Sequence, residues 1–293
     1  MPTHIQLLAI DPQNDFCDLP EAWCPVDPLS QRRQAPSLPV AGAHQDLLRL
    51  ADLIRAGAAH WSQIVVTLDS HHRVDIAHPP FWQTGKGAAV APFTAITARQ
   101  VRAGEFVPRL AAHWPEVLPR VLHYLDTLEA QGRYTLMVWP VHCAMGSWGH
   151  NLHAAVEAAA NAWAERCLRQ LRFVPKGMNP WTEHYSALQA EVPDAADPDT
   201  QLNRGLLRTL DEADLILIAG EASSHCVRAT TEHLVQHLPG GASQRLVLLT
   251  DGMSPVHGFE AQAQAFLADM RAQGVRLATI AEMQDELGWK NTA

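Results

Sequence analysis

Two kinds of apolar pattern alternate along the chain. Short continuous runs of strand length occur at Gln6–Ile10, Ile64–Leu68, Thr135–Trp139, Leu215–Ala219, Leu246–Leu249 and Val275–Ile280. Between them, apolar positions recur at helical spacing in Asp46–Arg55, Val117–Glu129, Leu152–Arg169, Val227–Leu238 and Ala261–Ala272. Strands that are apolar throughout, separated by amphipathic helices, predict an α/β fold: a doubly wound parallel β-sheet flanked by helices. Such sheets gather their chemistry at the carboxyl ends of the strands. Polar residues stand at these ends here: Asp11 after the first run, Asp69 after the second, and Ser223–Cys226 beyond Leu215–Ala219.

Two stretches interrupt the alternation. Residues 19–39 hold five prolines (Pro20, Pro25, Pro28, Pro36 and Pro39) and predict a surface loop. Residues 79–133 begin Pro79-Pro80-Phe81-Trp82 and end in a helix whose apolar positions are Val117, Val121, Leu122, Leu125 and Leu128. The expected organisation is one domain over residues 1–293, with 79–133 inserted in it as an addition or lid. The Gly85-Lys86-Gly87 run lacks the further glycine and trailing hydroxyl of a phosphate loop.

Composition narrows the partners. The 293 residues are 47% hydrophobic and 18% charged, with a formal net charge of −9, so no basic surface for nucleic acid is expected. No apolar stretch approaches the ~20 residues that span a bilayer, so no membrane association is expected. The five cysteines (Cys17, Cys24, Cys143, Cys167 and Cys226) are odd in number and form no CxxC pair, which favours a reducing cytoplasm over a disulfide framework.

The candidate chemistry begins with Cys226, placed after a buried strand and at the start of a helix. Free N–H groups at a helix start stabilise a thiolate, so a lowered thiol pKa is expected there. A buried structural cysteine is the plain alternative. His225 is adjacent, but consecutive side chains at a helix start diverge, which argues against a Cys–His dyad. Asp11 ends the first strand and is expected at the same carboxyl edge of the sheet, with a loop or helix-cap aspartate as the plain alternative; Lys176 follows another short apolar segment, where a solvated surface lysine is the plain alternative. Asp69-Ser70-His71, with His78 and with His142 in Trp139-Pro140-Val141-His142-Cys143, supplies donors suited to Zn²⁺ or Fe²⁺.

Five motifs in order (Asp11-x-Gln-Asn-Asp-Phe16, Asp69-x-His71, Trp139-Pro-x-His-Cys143, Lys176-Gly177 and Ser224-His-Cys226-Val227) resemble the nicotinamidase-related, long-form branch of the isochorismatase-like cysteine hydrolases. The resemblance spans about residues 5 to 280, with 79–133 poorly matched. It implies Cys226 as nucleophile, Asp11 as general base and acid, and Lys176 as the cation orienting both. It further implies an oxyanion hole from the N–H groups of Ala222 and Cys226, with a cis peptide between Glu221 and Ala222. Asp69, His71 and His142 match the family's metal ligands, with His78 as a fourth; zinc is the first expectation, with iron(II) or manganese as alternatives. Phe16 and Trp139 match the aromatic walls about the substrate ring. The implied reaction is nicotinamide plus water to nicotinate plus ammonia through a thioester, in a homo-oligomer. The alternatives are an amidase for another carboxamide, or a non-catalytic metal-binding scaffold. Glu221 departs from the family's usual apolar residue, and His78 lies one residue further from His71 than the family pattern.

Overall fold

The computed structural model describes residues 3–240 and 242–289. The central sheet contains β1 (Ile5–Ile10), β2 (Trp61–Asp69), β7 (Arg172–Lys176), β8 (Leu215–Gly220), β9 (Leu246–Leu249) and β10 (Arg276–Ala278), in the order β10-β9-β8-β1-β2-β7. All neighbouring pairs in it are parallel. β1 sits between β8 and β2 and is buried along its whole length, which is why Ile5-Gln-Leu-Leu-Ala-Ile10 reads as nearly continuous apolar residues.

Side chains of each strand alternate between two cores. Leu8, Ile10, Val65, Ile216, Ile218 and Leu248 face one core, with Leu206 and Leu210 of α5 (Arg204–Asp211), Leu234 of α6 (Cys226–His237), and Phe266 and Met270 of α7 (Glu260–Ala272). Leu7, Ala9, Ile64, Val66, Leu217 and Leu249 face the other. There they meet Leu47 and Leu50 of α1 (Ala43–Ala56), Trp163 of α4 (Ala154–Cys167) and Met283 of α8 (Ile280–Leu287). This is the helix-flanked parallel α/β sheet predicted from the apolar pattern.

Three local outcomes differ from the pattern. The Thr135–Trp139 run forms β6 (Leu136–Val138), which pairs antiparallel with β4 (Thr94–Ile96) outside the central sheet. The edge place in the sheet goes to β7, whose sequence Arg-Phe-Val-Pro-Lys alternates because an edge strand leaves one side open; Phe173 is exposed and Val174 buried. The last apolar run stops at Ala278, where Thr279 caps α8 in a reciprocal arrangement with Glu282.

Residues 79–133 contribute β3 (Trp82–Thr84), β4, α2 (Ala98–Arg102), β5 (Phe106–Pro108) and α3 (Val117–Gln131), with β3 and β5 paired antiparallel. They close over a third apolar cluster around Phe81, Trp82, Val121, Leu125 and Leu128. Among the described residues, no helix is long and apolar enough to cross a membrane.

Register brings the strand ends together. Ile10 pairs with Gly220 and Asp69 with Lys176, so Asp11, Asp69, Lys176 and Glu221 arrive at one edge of the sheet. Gly220 is fitted to this place: its φ is +119°, and a Cβ there would lie 1.9 Å from the carbonyl oxygen of Ile10. Gly220→Ala is expected to lower stability by at least about 3 kcal/mol through left-handed strain and backbone displacement. Chemical denaturation checks this; an unchanged midpoint contradicts the fit.

Candidate active site

Lys176 ends β7 with its ammonium fully enclosed. Its Nζ lies 2.9 Å from Asp11 Oδ2 and 2.9 Å from Asp69 Oδ1. It donates to Asp69, to the carbonyl oxygen of His184 at 3.0 Å and to Cys226 Sγ at 3.5 Å. Asp11 Oδ2 thus meets Lys176 as an ion pair while the carboxylate stands beside the Cys226 thiol. Thr67, one strand over, accepts from the Asp11 N–H at 2.9 Å and donates its hydroxyl to Oδ1, fixing the carboxylate plane. The side-chain amide of Gln13 pins Asp69 similarly: it accepts from the Asp69 N–H at 2.7 Å and donates to the Asp69 carbonyl at 2.9 Å.

The electrostatics follow from burial and these contacts. Burial disfavours the Lys176 ammonium, yet Asp11 and Asp69 hold its pKa well above the usual lysine value. Burial pushes Asp11 up against the opposing pull of Lys176, as suits a group that takes and returns a proton. Burial also pushes the Cys226 thiol well above its usual value, outweighing Lys176. This differs from the lowered pKa expected from the helix start: Sγ is enclosed, and Asp11 and Asp69 add to the rise that burial causes.

Cys226 is the first residue of α6. The preceding loop is anchored by Glu221 N–H to Ile10 O at 2.8 Å and Ser223 N–H to Ser254 O at 2.9 Å, and the Glu221–Ala222 peptide is cis. Among the described residues, the N–H groups of Ala222 and Cys226 donate to no partner. The Glu221 side chain turns away into the protein, where its Oε2 accepts from Ser254 N–H at 3.1 Å. Burial and the nearby Asp46 push it well above its ordinary value.

Beside the trio lies a buried group of imidazoles. Single ligand atoms of His71, His78 and His142 fall within 4.8 Å of one another. Asp69 Oδ2 is 3.0 Å from His71 Nε2 and 3.1 Å from His142 Nε2, so this carboxylate joins the imidazoles to the lysine. His71 Nδ1–H donates to Asp75 at 3.2 Å, and His78 Nδ1–H to the His72 carbonyl at 3.2 Å. The second nitrogen of His71 therefore faces a carboxylate too, and despite burial Asp69 and Asp75 hold that imidazole well above its usual pKa. A divalent cation replaces such a proton directly. Burial, helped by His142 and His71, brings His78 down to about 2, leaving it neutral as a ligand must be. Three imidazoles and one carboxylate fit a borderline divalent metal ion.

Cys226 of the trio and His142 of the imidazoles, with Asp69 between the two groups, open onto an apolar slot. Phe16, Leu38, Trp139, Tyr185, His225 and Val256 form its walls, and Asp69, His142, Glu183, Ala222 and Cys226 its base. Its volume is about 30 Å³. A larger cleft of about 430 Å³ runs along β7 and contains none of the trio or the imidazoles.

Solved structures superpose along nearly the whole chain. The yeast nicotinamidase matches at a TM-score of 0.60 and 20% identity, covering 94% of this chain and 99% of that one. A pyrazinamidase of Pyrococcus horikoshii in complex with zinc matches at 0.51 and 17%, covering 94% and 99%. An isochorismatase family protein from Desulfovibrio vulgaris matches at 0.51 and 19%, covering 98% and 100%. No protein-family model and no curated protein matches the chain.

The chain has the isochorismatase-like fold.

Within that fold, the structure brings all ten sequence-predicted positions to one place. Asp11, Lys176 and Cys226 form the buried trio; Asp69, His71, His78 and His142 form the cluster beside it; Phe16, Trp139 and Ala222 line the slot. Sequence reasoning missed Leu38, Glu183, Tyr185 and Val256, and it gave His225 no place in the site. Leu38 lies at the end of the proline-rich loop, and its only sequence signal is an apolar residue in a polar tract. His225 does turn from Cys226: its Nδ1 meets Ser224 Oγ at 2.9 Å, and its ring becomes a wall of the slot.

Two outcomes test this geometry. Asp75→Ala, which removes the partner of His71, is expected to weaken divalent-metal affinity about 10–100-fold. Competition with a chromophoric chelator measures it, and unchanged affinity would show that His71 is not a ligand. Because the thiol is held up, alkylation of Cys226 by a neutral reagent is expected to be slow at pH 7 and still rising above pH 9. A plateau below pH 8 would contradict the burial argument.

Proposed function

We propose that this chain is a metal-containing cysteine amidohydrolase that converts nicotinamide and water to nicotinate and ammonia. The observation that carries the reading is Lys176, whose Nζ touches both Asp11 and Asp69 while facing Cys226 Sγ. A structural scaffold has no use for a buried cation set between a thiol and a proton acceptor. Relatives in fold that are named as nicotinamidase and pyrazinamidase support the same chemistry. Residues 79–133 are read as an insertion within one hydrolase domain, since their elements close over a separate apolar cluster.

Asp11 Oδ2 takes the thiol proton as Sγ forms a bond to the amide carbon. Lys176 stays protonated and keeps the two groups aligned, so the thiolate exists only as it reacts. The carbonyl oxygen becomes an oxyanion and is met by the N–H groups of Ala222 and Cys226, which hold no other partner among the described residues. Asp11 then passes its proton to the amide nitrogen, the C–N bond breaks, and ammonia leaves a thioester. A water deprotonated by Asp11 attacks the thioester carbon, and the proton returns to Sγ as the acid departs.

Asp69, His71, His78 and His142 would hold the metal ion, which when bound supplies a Lewis-acidic anchor for a ring nitrogen. Zinc is the first assignment, on the imidazole-rich donor set and the zinc-bound relative in fold; iron(II) and manganese accept the same donors. Phe16 and Trp139 would flank the ring.

A different carboxamide is favoured by one observation. A cavity of about 150 Å³ is the size known to admit benzene, whereas this slot has about 30 Å³. Rings in its wall must move for any aromatic amide, and where they move sets what is accepted.

Ammonia release from nicotinamide by the metal-replete protein tests the proposal. Cys226→Ala is expected to cut kcat at least about 10³-fold, and Asp11→Asn about 10²–10⁴-fold, with the fold retained by circular dichroism. Near-normal turnover in Cys226→Ala would exclude the covalent route.

A further inference from the structure

Adjoining the slot is a second cavity of about 220 Å³, lined by Tyr134, Tyr185, His225 and Phe259 together with Arg133 and Arg228. Tyr185 and His225 line both spaces, and their rings touch with centroids 5.2 Å apart. One layer of aromatic rings therefore separates the candidate nucleophile from the larger space. Tyr185 is held by Trp139 Nε1–H, which donates to its hydroxyl at 3.1 Å. His225 packs against Phe259 at 4.6 Å, and its Nδ1 meets the Ser224 hydroxyl at 2.9 Å. The room the slot lacks for a six-membered ring is on the far side of this layer.

The chemistry of the outer space differs from that of the slot. Arg228 Nε donates to Glu232 at 2.8 Å, while its two terminal amino groups donate to nothing among the described residues. Arg133 uses the same Glu232, at 2.5 Å, and His233 Nε2 at 3.2 Å. Both guanidinium groups lie against Tyr134, at 5.4 and 5.8 Å from its ring centroid. The nearest other acid, Glu191, stands 3.8 Å from Arg133, and burial brings it up to about 7, so near neutral pH it is only partly charged. Two cations thus share one paired carboxylate, and the free fork of Arg228 matches a planar oxyanion.

We propose that the outer cavity is a second substrate subsite, and that the substrate is an aromatic carboxamide carrying a carboxylate-terminated arm. This rests on the amidohydrolase reading. Displacing the His225 ring joins the two spaces: the carboxamide reaches Cys226, the aromatic ring lies between Phe16 and Trp139, and the arm passes where His225 and Tyr185 now touch to end at Arg228. Unsubstituted nicotinamide would fill only the inner part.

The test is a set of pyridine-3-carboxamides bearing a short carboxylate-terminated arm at each free ring carbon, each compared with its methyl ester. For at least one isomer the acid is expected to exceed the ester in kcat/KM by about tenfold or more, mainly through KM, as one charge-assisted contact supplies. Arg228→Gln is expected to bring that ratio close to one, and Arg228→Lys to keep part of it. Acids no better than their esters at every position, with nicotinamide still hydrolysed by the same preparation, would overturn the subsite and leave the amidase standing. If no amide is hydrolysed, calorimetric binding of the same pairs to Cys226→Ala protein decides the subsite by itself. Tighter binding of an acid that is lost in Arg228→Gln sustains it, and equal binding of acid and ester overturns it.

Discussion

The site is organised around one buried ammonium. A lysine taken fully out of water survives as a cation only if its surroundings return what hydration gave, and here two carboxylates, one carbonyl and one sulfur do so. Those four partners come from β1, β2, the segment after β7 and the start of α6, so the pairing also fixes the mutual position of every strand end that carries chemistry. Burial draws Asp11 up in pKa against the pull of that cation, and the second carboxylate, Asp69, adds to the rise.

Asp69 links the two halves of the site. One of its oxygens accepts from Lys176 and the other faces His71 and His142. A change in charge at the imidazole cluster is therefore felt at the lysine through a single carboxylate, over two short contacts. The clamp on its backbone by Gln13 makes that carboxylate a rigid bridge. The floor is held by ion pairs, whereas the walls are aromatic rings packed against one another, with single hydrogen bonds from Trp139 to Tyr185 and between Ser224 and His225.

Much of this was legible along the chain. The apolar runs gave five of the six central strands, because strands covered on both faces cannot tolerate interruption. The sixth was misassigned because β7 is an edge strand that alternates, whereas β6 is short and apolar for the sake of the cluster under 79–133. Motif residues such as Asp11, Lys176 and Cys226 stand out since each is a charged or nucleophilic group at the end of an apolar segment. Leu38, Tyr185 and Val256 carry no such mark: an apolar residue in a slot looks the same in sequence as one in a core.

By itself the sequence determined the layered α/β fold, the strand ends where chemistry collects, and which residue types gather there, for periodicity and residue chemistry are local properties. Tertiary structure alone decided the burial and the charged neighbours of those residues and the shape of the space above them. The helix-start rule pointed to a lowered Cys226 thiol; desolvation and two carboxylates from distant strands reversed it. Nothing in the spacing of Arg133 and Arg228 shows that they line one aromatic-walled cavity and share Glu232 as a partner, because that depends on how a helix and a loop far apart in sequence pack against the same face. Charge in a low-dielectric interior is set by everything within a few ångströms, and only the folded chain brings those groups within reach.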